Sequence, residues 1–182
     1  MNYMDSGIAE ELRSLLFLSG SDFVAQLKKI VTRNEFHPYE SDSKIFITGG
    51  KGREDFPNLI NAAQKAVKRG YTVYILPNPD VVRTADFIFI RKGVYKLYDL
   101  KKSSADNRLI ESIGQTNRVL LNITSDYNPS SLARSIKRYF ENSSTALEVL
   151  VFKGKKTLSI TRDLTLNPLY YKLFMKRYMK GK

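Results

Sequence analysis

Residues 84–104 read TADFIFIRKGVYKLYDLKKSS, and no other stretch limits the fold as tightly. An apolar run from Phe87 to Ile90 follows Asp86, Lys92-Gly93 marks a turn, and the chain returns along an alternating segment ending in Asp99-Leu100-Lys101. Two aromatic and β-branched runs parted by a short turn read as a hairpin, so the chain has to build a sheet around its own middle. Side chains alternate along a strand, which puts Asp99 and Lys101 on one face and Leu100 on the other. The hairpin also brings Asp86, at the start of one strand, beside the end of its partner. Three charged groups are therefore expected at one sheet edge.

The flanking segments fix the architecture around that hairpin. Residues 1–39 look helical, with SGIAEELRSLLFL starting at Ser6 and SDFVAQLKKIVTRNEF starting at Ser21 and placing Phe23, Leu27, Ile30 and Val31 on one face. A short strand, Ile45 to Ile47, runs into the glycine-rich basic turn GGKGRED. FPNLINAAQKAVKRG reads as a helix by its Leu59, Ile60, Ala63 and Val67 spacing, with Pro57 in the first turn and Gly70 past the end. YTVYILPN is a strand closed by prolines. After the hairpin, SADNRLIESIGQTN is helical, with Asp106 as cap and Leu109, Ile110 and Ile113 on one face, and RVLLNI is a buried strand. SLARSIKRYF points Leu132, Ile136 and Phe140 inward and Arg134, Lys137 and Arg138 outward. LEVLVFKGKKTLSITR is a second hairpin turning at Gly154, and LNPLYYKLFMKRYMKGK is a basic aromatic tail. The expected fold is α/β: a mixed sheet in αβββαβ order, an N-terminal helical pair over 1–39, and a domain over 40–182 that ends in the hairpin and tail.

Charge narrows the partner. Thirty Lys and Arg stand against 18 Asp and Glu, a formal net charge of +12 in 182 residues, which points to a polyanion. Nucleic acid fits first. An anionic membrane surface is set aside because the tail is short and the charge reads as spread along the chain. There is no Cys and one His, His37, so thiolate metal sites, disulfides and His clusters are excluded. Without a signal or membrane-spanning segment in the sequence, a cytoplasmic setting is expected.

The charged cluster has a chemical use. Two carboxylates and a backbone carbonyl are the hard oxygen donors that Mg²⁺ or Mn²⁺ takes, and such a metal polarises a phosphodiester. Asp86 and Asp99 would hold the metal, the Leu100 carbonyl would add a ligand, and Lys101 would face the phosphate. Lys51 and Arg53 in the glycine-rich turn, together with Lys102, Arg134, Lys137, Arg138, Lys172, Lys176 and Arg177, are the candidate contacts to a nucleic-acid backbone.

Asp86, twelve residues of hairpin, and then Asp99-Leu100-Lys101, within a helix, three strands, helix, strand order, resemble the PD-(D/E)xK nucleases of the restriction-endonuclease-like superfamily. The resemblance spans about residues 54–124. It implies a metal-dependent endonuclease using Mg²⁺ or Mn²⁺, with Asp86 and Asp99 as ligands and Lys101 as the catalytic lysine. It further implies Glu54 on the first core helix and Gln115 on the following helix as supporting residues. Ala85 stands where the family has proline, and Val119 stands where a RecB-like subset has tyrosine. DNA is the favoured substrate. A looser layout is similar to C-terminal toxin domains of contact-dependent growth-inhibition systems, several of which cut tRNA; this keeps RNA open and admits an immunity protein, or a second copy of the chain, as partner.

Each residue also has a plain structural reading. Glu54 suits the positive end of a helix, Gln115 suits a helix surface, and GGKGRED lacks the spacing of a P-loop. His37 precedes a proline in an expected loop, and Tyr170, Tyr171, Phe174 and Tyr178 could pack on a core or stack on bases. Two other functions fit the same sequence: a metal-independent ribonuclease using Lys101 or His37 for acid and base work, and a basic domain that binds nucleic acid without cutting it.

Overall fold

A computed structural model describes residues 4–49, 53–78, 84–101, 109 and 116–180. The chain is α/β and divides into two compact units, Met1–Asp99 and Leu100–Lys182. In the first unit, α1 (Met4–Ser14), a 3₁₀ turn (Leu15–Phe17) and α2 (Gly20–Val31) precede β1 (His37–Tyr39) and β2 (Asp42–Ile47). Then come α3 (Phe56–Lys68), β3 (Thr72–Ile75), β4 (Phe87–Arg91) and β5 (Val94–Lys101), whose last two residues belong to the second unit.

β2 and β3 run parallel, joined through α3, while β3, β4 and β5 form an antiparallel meander. Arg91 pairs with Val94, leaving Lys92 and Gly93 as the two loop residues, with φ of 50° and 74°. Positive φ at both positions is the type I′ geometry whose twist matches that of the flanking strands, so the turn fixes the register of everything beyond it. One face of the meander packs Leu76, Ile88 and Leu97 with Ile8, Leu12, Leu27 and Ile30 from the N-terminal helices. Their spacing of three and four residues is the stripe that the sequence shows. α3 packs against β2 and β3, with Leu59 and Ala63 buried along with Ile45 and Val73. Phe89 rests 5.2 Å from Tyr71 and 5.0 Å from Tyr98, ring centre to ring centre.

Two expectations need correction here. Residues 37–39 are neither helix nor loop: His37 and Pro38 pair with Ile47 and Phe46 as an edge strand. Three residues show no usable alternation, and Pro38 is tolerated because an edge strand has one side without a ladder. The strand expected over 45–47 begins earlier, at Asp42, which pairs with Tyr39 of β1 across an irregularity in the register.

The second unit holds β6 (Arg118–Ile123), α4 (Pro129–Glu141), β7 (Glu148–Lys153), β8 (Lys156–Ile160), α5 (Arg162–Leu166) and α6 (Tyr170–Met179). β6 and β7 are parallel, crossing through α4, and β7 returns as β8. Lys153 pairs with Lys156 across a two-residue loop that opens on Gly154 at φ 56°, a conformation that favours glycine. The Asn128 side chain starts α4 by accepting from the N–H groups of Ser130 (3.0 Å) and Ser131 (3.1 Å). Leu132, Ile136 and Phe140 face the core as their spacing predicts, against Val119, Leu121, Val149 and Val151.

The tail is a helix, and its aromatics settle between the two sequence readings. Tyr170, Phe174 and Tyr178, four residues apart, are fully buried, and each contributes about 1.5–3 kcal/mol of burial. Base stacking is thus excluded for these three, whereas Tyr171 stays 43% exposed. The Tyr170 hydroxyl donates to the Ala133 carbonyl at 2.8 Å, and burial pushes its ionisation well above the usual tyrosine range. Arg162 caps the end of α4 by donating to the Phe140 carbonyl at 2.7 Å and to that of Ser143. Of the helix expected between β5 and β6, Leu109 is described, helical and buried in this core; Asp106, Ile110 and Ile113 lie outside the described residues. No described helix is long and apolar enough to cross a membrane.

Candidate metal and phosphate site

The ladder between β4 and β5 ends at the pair Phe87 and Tyr98. Asp86 lies one residue before Phe87 and Asp99 one residue after Tyr98, so the two aspartates occupy the same end of the same pair of strands. Asp99 is 4% exposed and Asp86 is half-buried. Lys101 closes β5 two residues beyond Asp99, the strand period that returns a side chain to the same face. Two carboxylates near one another, with one out of water, need a positive counter-charge close by.

The backbone at Asp86 is irregular. In a regular antiparallel ladder a hydrogen-bonded pair exchanges both of its bonds, so one residue directs its N–H and C=O to the same neighbour. Asp86 divides them: its carbonyl accepts from the Leu76 N–H at 2.9 Å, while its own N–H donates to the Tyr98 carbonyl at 3.0 Å on the other side. This local break, of the kind a bulge makes, re-aims a side chain. The Leu76 carbonyl, which a regular ladder would pair with the Asp86 N–H, accepts instead from Arg53 Nη1 at 3.1 Å.

Arg53 itself is partly buried and also grips Asp55 with two bonds, Nε to Oδ1 at 3.0 Å and Nη2 to Oδ2 at 2.8 Å. Asp55 stands at the N-cap of α3 without capping it, because its carboxylate is taken by Arg53. Glu54 is exposed in the turn between them. Lys51, Lys102 and Gln115 lie outside the described residues. His37 is exposed on β1, its Nδ1 3.3 Å from the Glu35 carbonyl oxygen.

The remaining basic candidates lie on two helices of the second unit that pack together. Arg134 and Arg138 are exposed on α4, and Lys172, Lys176 and Arg177 are exposed on α6. Lys137 is half-buried, with its ammonium 5.6 Å from the centre of the Tyr171 ring. The charge is not spread along the chain as first read. Residues 100–182 carry 16 Lys and Arg against six Asp and Glu, a formal +10, whereas residues 1–99 carry 14 against 12, a formal +2.

Among the described residues no three His, Asp or Glu side chains gather as a metal-holding group. Asp86 and Asp99 bring two carboxylates, which offer only oxygen donors, to this end of β4 and β5. Carboxylate oxygens suit Mg²⁺ or Mn²⁺, which keep several waters and need only one or two carboxylates.

No protein-family model matches the chain, and no curated protein matches it significantly. Among solved structures, the chain is similar to a CdiA-CT/CdiI toxin and immunity complex from Burkholderia pseudomallei, at 16% identity and a TM-score of 0.44, with 69% of this chain and 92% of that chain covered. A TM-score of 0.44 is too low to carry either fold or function across.

Proposed function

We propose that the chain is a metal-dependent nuclease that hydrolyses phosphodiester bonds in nucleic acid. The observation that supports this most is the placement of Asp86 and Asp99, one residue beyond the last pair at the same end of β4 and β5, with Asp99 buried. Asp86, Asp99 and the Leu100 carbonyl would hold Mg²⁺ or Mn²⁺. Such an ion would supply Lewis-acid polarisation of the phosphate and a more acidic water. Lys101 presents its ammonium to the scissile phosphate, where charge builds as the bond breaks. Glu54 and, from the sequence, Gln115 are supporting residues. The α4 and α6 cations draw in the backbone by charge alone, without reading sequence.

DNA is the first substrate to test. The sequence resemblance to toxin domains that cut tRNA puts RNA beside it. Duplex DNA, single-stranded DNA and folded RNA are incubated with the wild-type chain and Asp99→Asn in Mg²⁺, Mn²⁺ or EDTA. Loss of a ligand is expected to slow cleavage by about 100-fold or more, at the upper end of what altered metal surroundings cost, while binding stays near wild type. Cleavage that survives EDTA and leaves a cyclic phosphate would instead establish the metal-independent ribonuclease. Salt-sensitive binding with no cleavage on any substrate would establish a binding module.

A further inference from the structure

Arg53 reads in the sequence as a phosphate contact in a glycine-rich turn, but its guanidinium has another use. Three of its nitrogens are committed within the fold: two to Asp55, at the start of α3, and one to the carbonyl of Leu76, just past the end of β3. Leu76 in turn holds Asp86 through its own N–H. We infer that Arg53 is a positioning residue for Asp86, an inference that rests on Asp86 being part of the proposed nuclease site.

At one break in the sheet a backbone carbonyl is left needing a donor. When Asp86 turns its N–H to Tyr98, the Leu76 carbonyl loses the donor a regular ladder would give it. Leu76 is 1% exposed, so water is poorly placed to replace that donor. Arg53 supplies it. The break that re-aims Asp86 thereby becomes tolerable, and the end of β3 is tied to the first turn of α3. A guanidinium suits this role better than an ammonium, since its planar fork grips Asp55 with two bonds and still reaches a third acceptor. Arg53 touches neither substrate nor metal in this scheme; it acts through Leu76 on the backbone of Asp86.

The 182-residue chain, wild type and the variants Arg53→Gln, Arg53→Lys and Asp55→Asn, is tested in two ways. Amide hydrogen exchange at Leu76 and Asp86 needs no enzymatic activity. Arg53→Gln is expected to speed exchange at both amides by about tenfold or more, and to raise the Mn²⁺ concentration for half-maximal cleavage by about tenfold, the scale of a lost supporting bond at a metal site. KM for nucleic acid stays within about twofold, because no phosphate contact is lost. Asp55→Asn, which leaves the bond to Leu76 in place, gives a smaller change of the same kind and covers the case in which Arg53→Gln does not fold. Arg53→Lys falls between them. Unchanged exchange at Leu76 and Asp86 in the folded variants would overturn the inference. So would a raised KM and a shallower salt dependence at unchanged metal requirement, the signature of a phosphate contact. A wild-type chain that cuts nothing would sink the nuclease reading by itself, and the exchange result would still decide whether Arg53 braces Asp86.

Discussion

The two units differ most in where they keep their charge. The first holds the two candidate metal-binding aspartates and is close to neutral at a formal +2; the second carries a formal +10, much of it on α4 and α6. A carboxylate site meant for a divalent cation loses affinity beside excess positive charge, while a surface meant for a polyanion gains from it. This difference in charge lets binding and cleavage be probed by separate mutations in the two units.

The widest test of that separation neutralises the second unit. Replacing Arg134, Arg138, Lys172 and Lys176 by Ala is expected to weaken nucleic-acid binding about 100-fold near physiological salt and to make the salt slope shallower by about three, with kcat at saturating substrate retained. Filter binding across a salt series and single-turnover cleavage measure the two effects. A fall in kcat with unchanged affinity would break the division. Next in size is packing: Phe174→Ala removes a fully buried ring stacked at 5.5 Å on Tyr178, and urea unfolding should show a loss of about 3–5 kcal/mol.

The smallest effects lie in pH, and they divide by unit as well. Hydrogen bonding from Arg33 holds the Glu35 carboxyl below the usual carboxylate range, so it stabilises the first unit above the unfolded-state value near 4.5 and the benefit is lost as pH falls through the lower folded value. In the second unit burial raises Tyr170, whose contribution is complete below the unfolded value of 10.0 and is lost as pH climbs toward the higher folded one. Glu35→Gln should flatten the acid limb of a stability profile. Tyr170→Phe should flatten the alkaline limb and cost about 1 kcal/mol at neutral pH through the missing bond to Ala133. Thermal melts from pH 3 to 11 read both changes.

What the sequence discloses follows from how local the cause is. The hairpin around Lys92-Gly93 was legible because its alternation and turn lie within fifteen residues, and α4 because its three inward residues repeat at helical spacing. β1 was not legible: at three residues, one of them Pro38, it is too short to show alternation, although its partners in β2 lie only three to ten residues further on. The tail aromatics were ambiguous, since a helix that mixes aromatic and basic residues looks alike whether its aromatics face a core or a base. Arg53 was the least accessible. Its partners are a neighbour at i+2 and a carbonyl 23 residues away, and that carbonyl needs a donor only because the ladder breaks at Asp86.

The central claim is that Asp86 and Asp99 together hold a divalent cation. Mn²⁺ titrated calorimetrically into the full chain, alongside Asp99→Asn of matched thermal stability, tests it without requiring a substrate. A Mn²⁺ site is expected in the wild type, lost in Asp99→Asn and weakened in Arg53→Gln. Equal Mn²⁺ binding by the wild type and Asp99→Asn would contradict it.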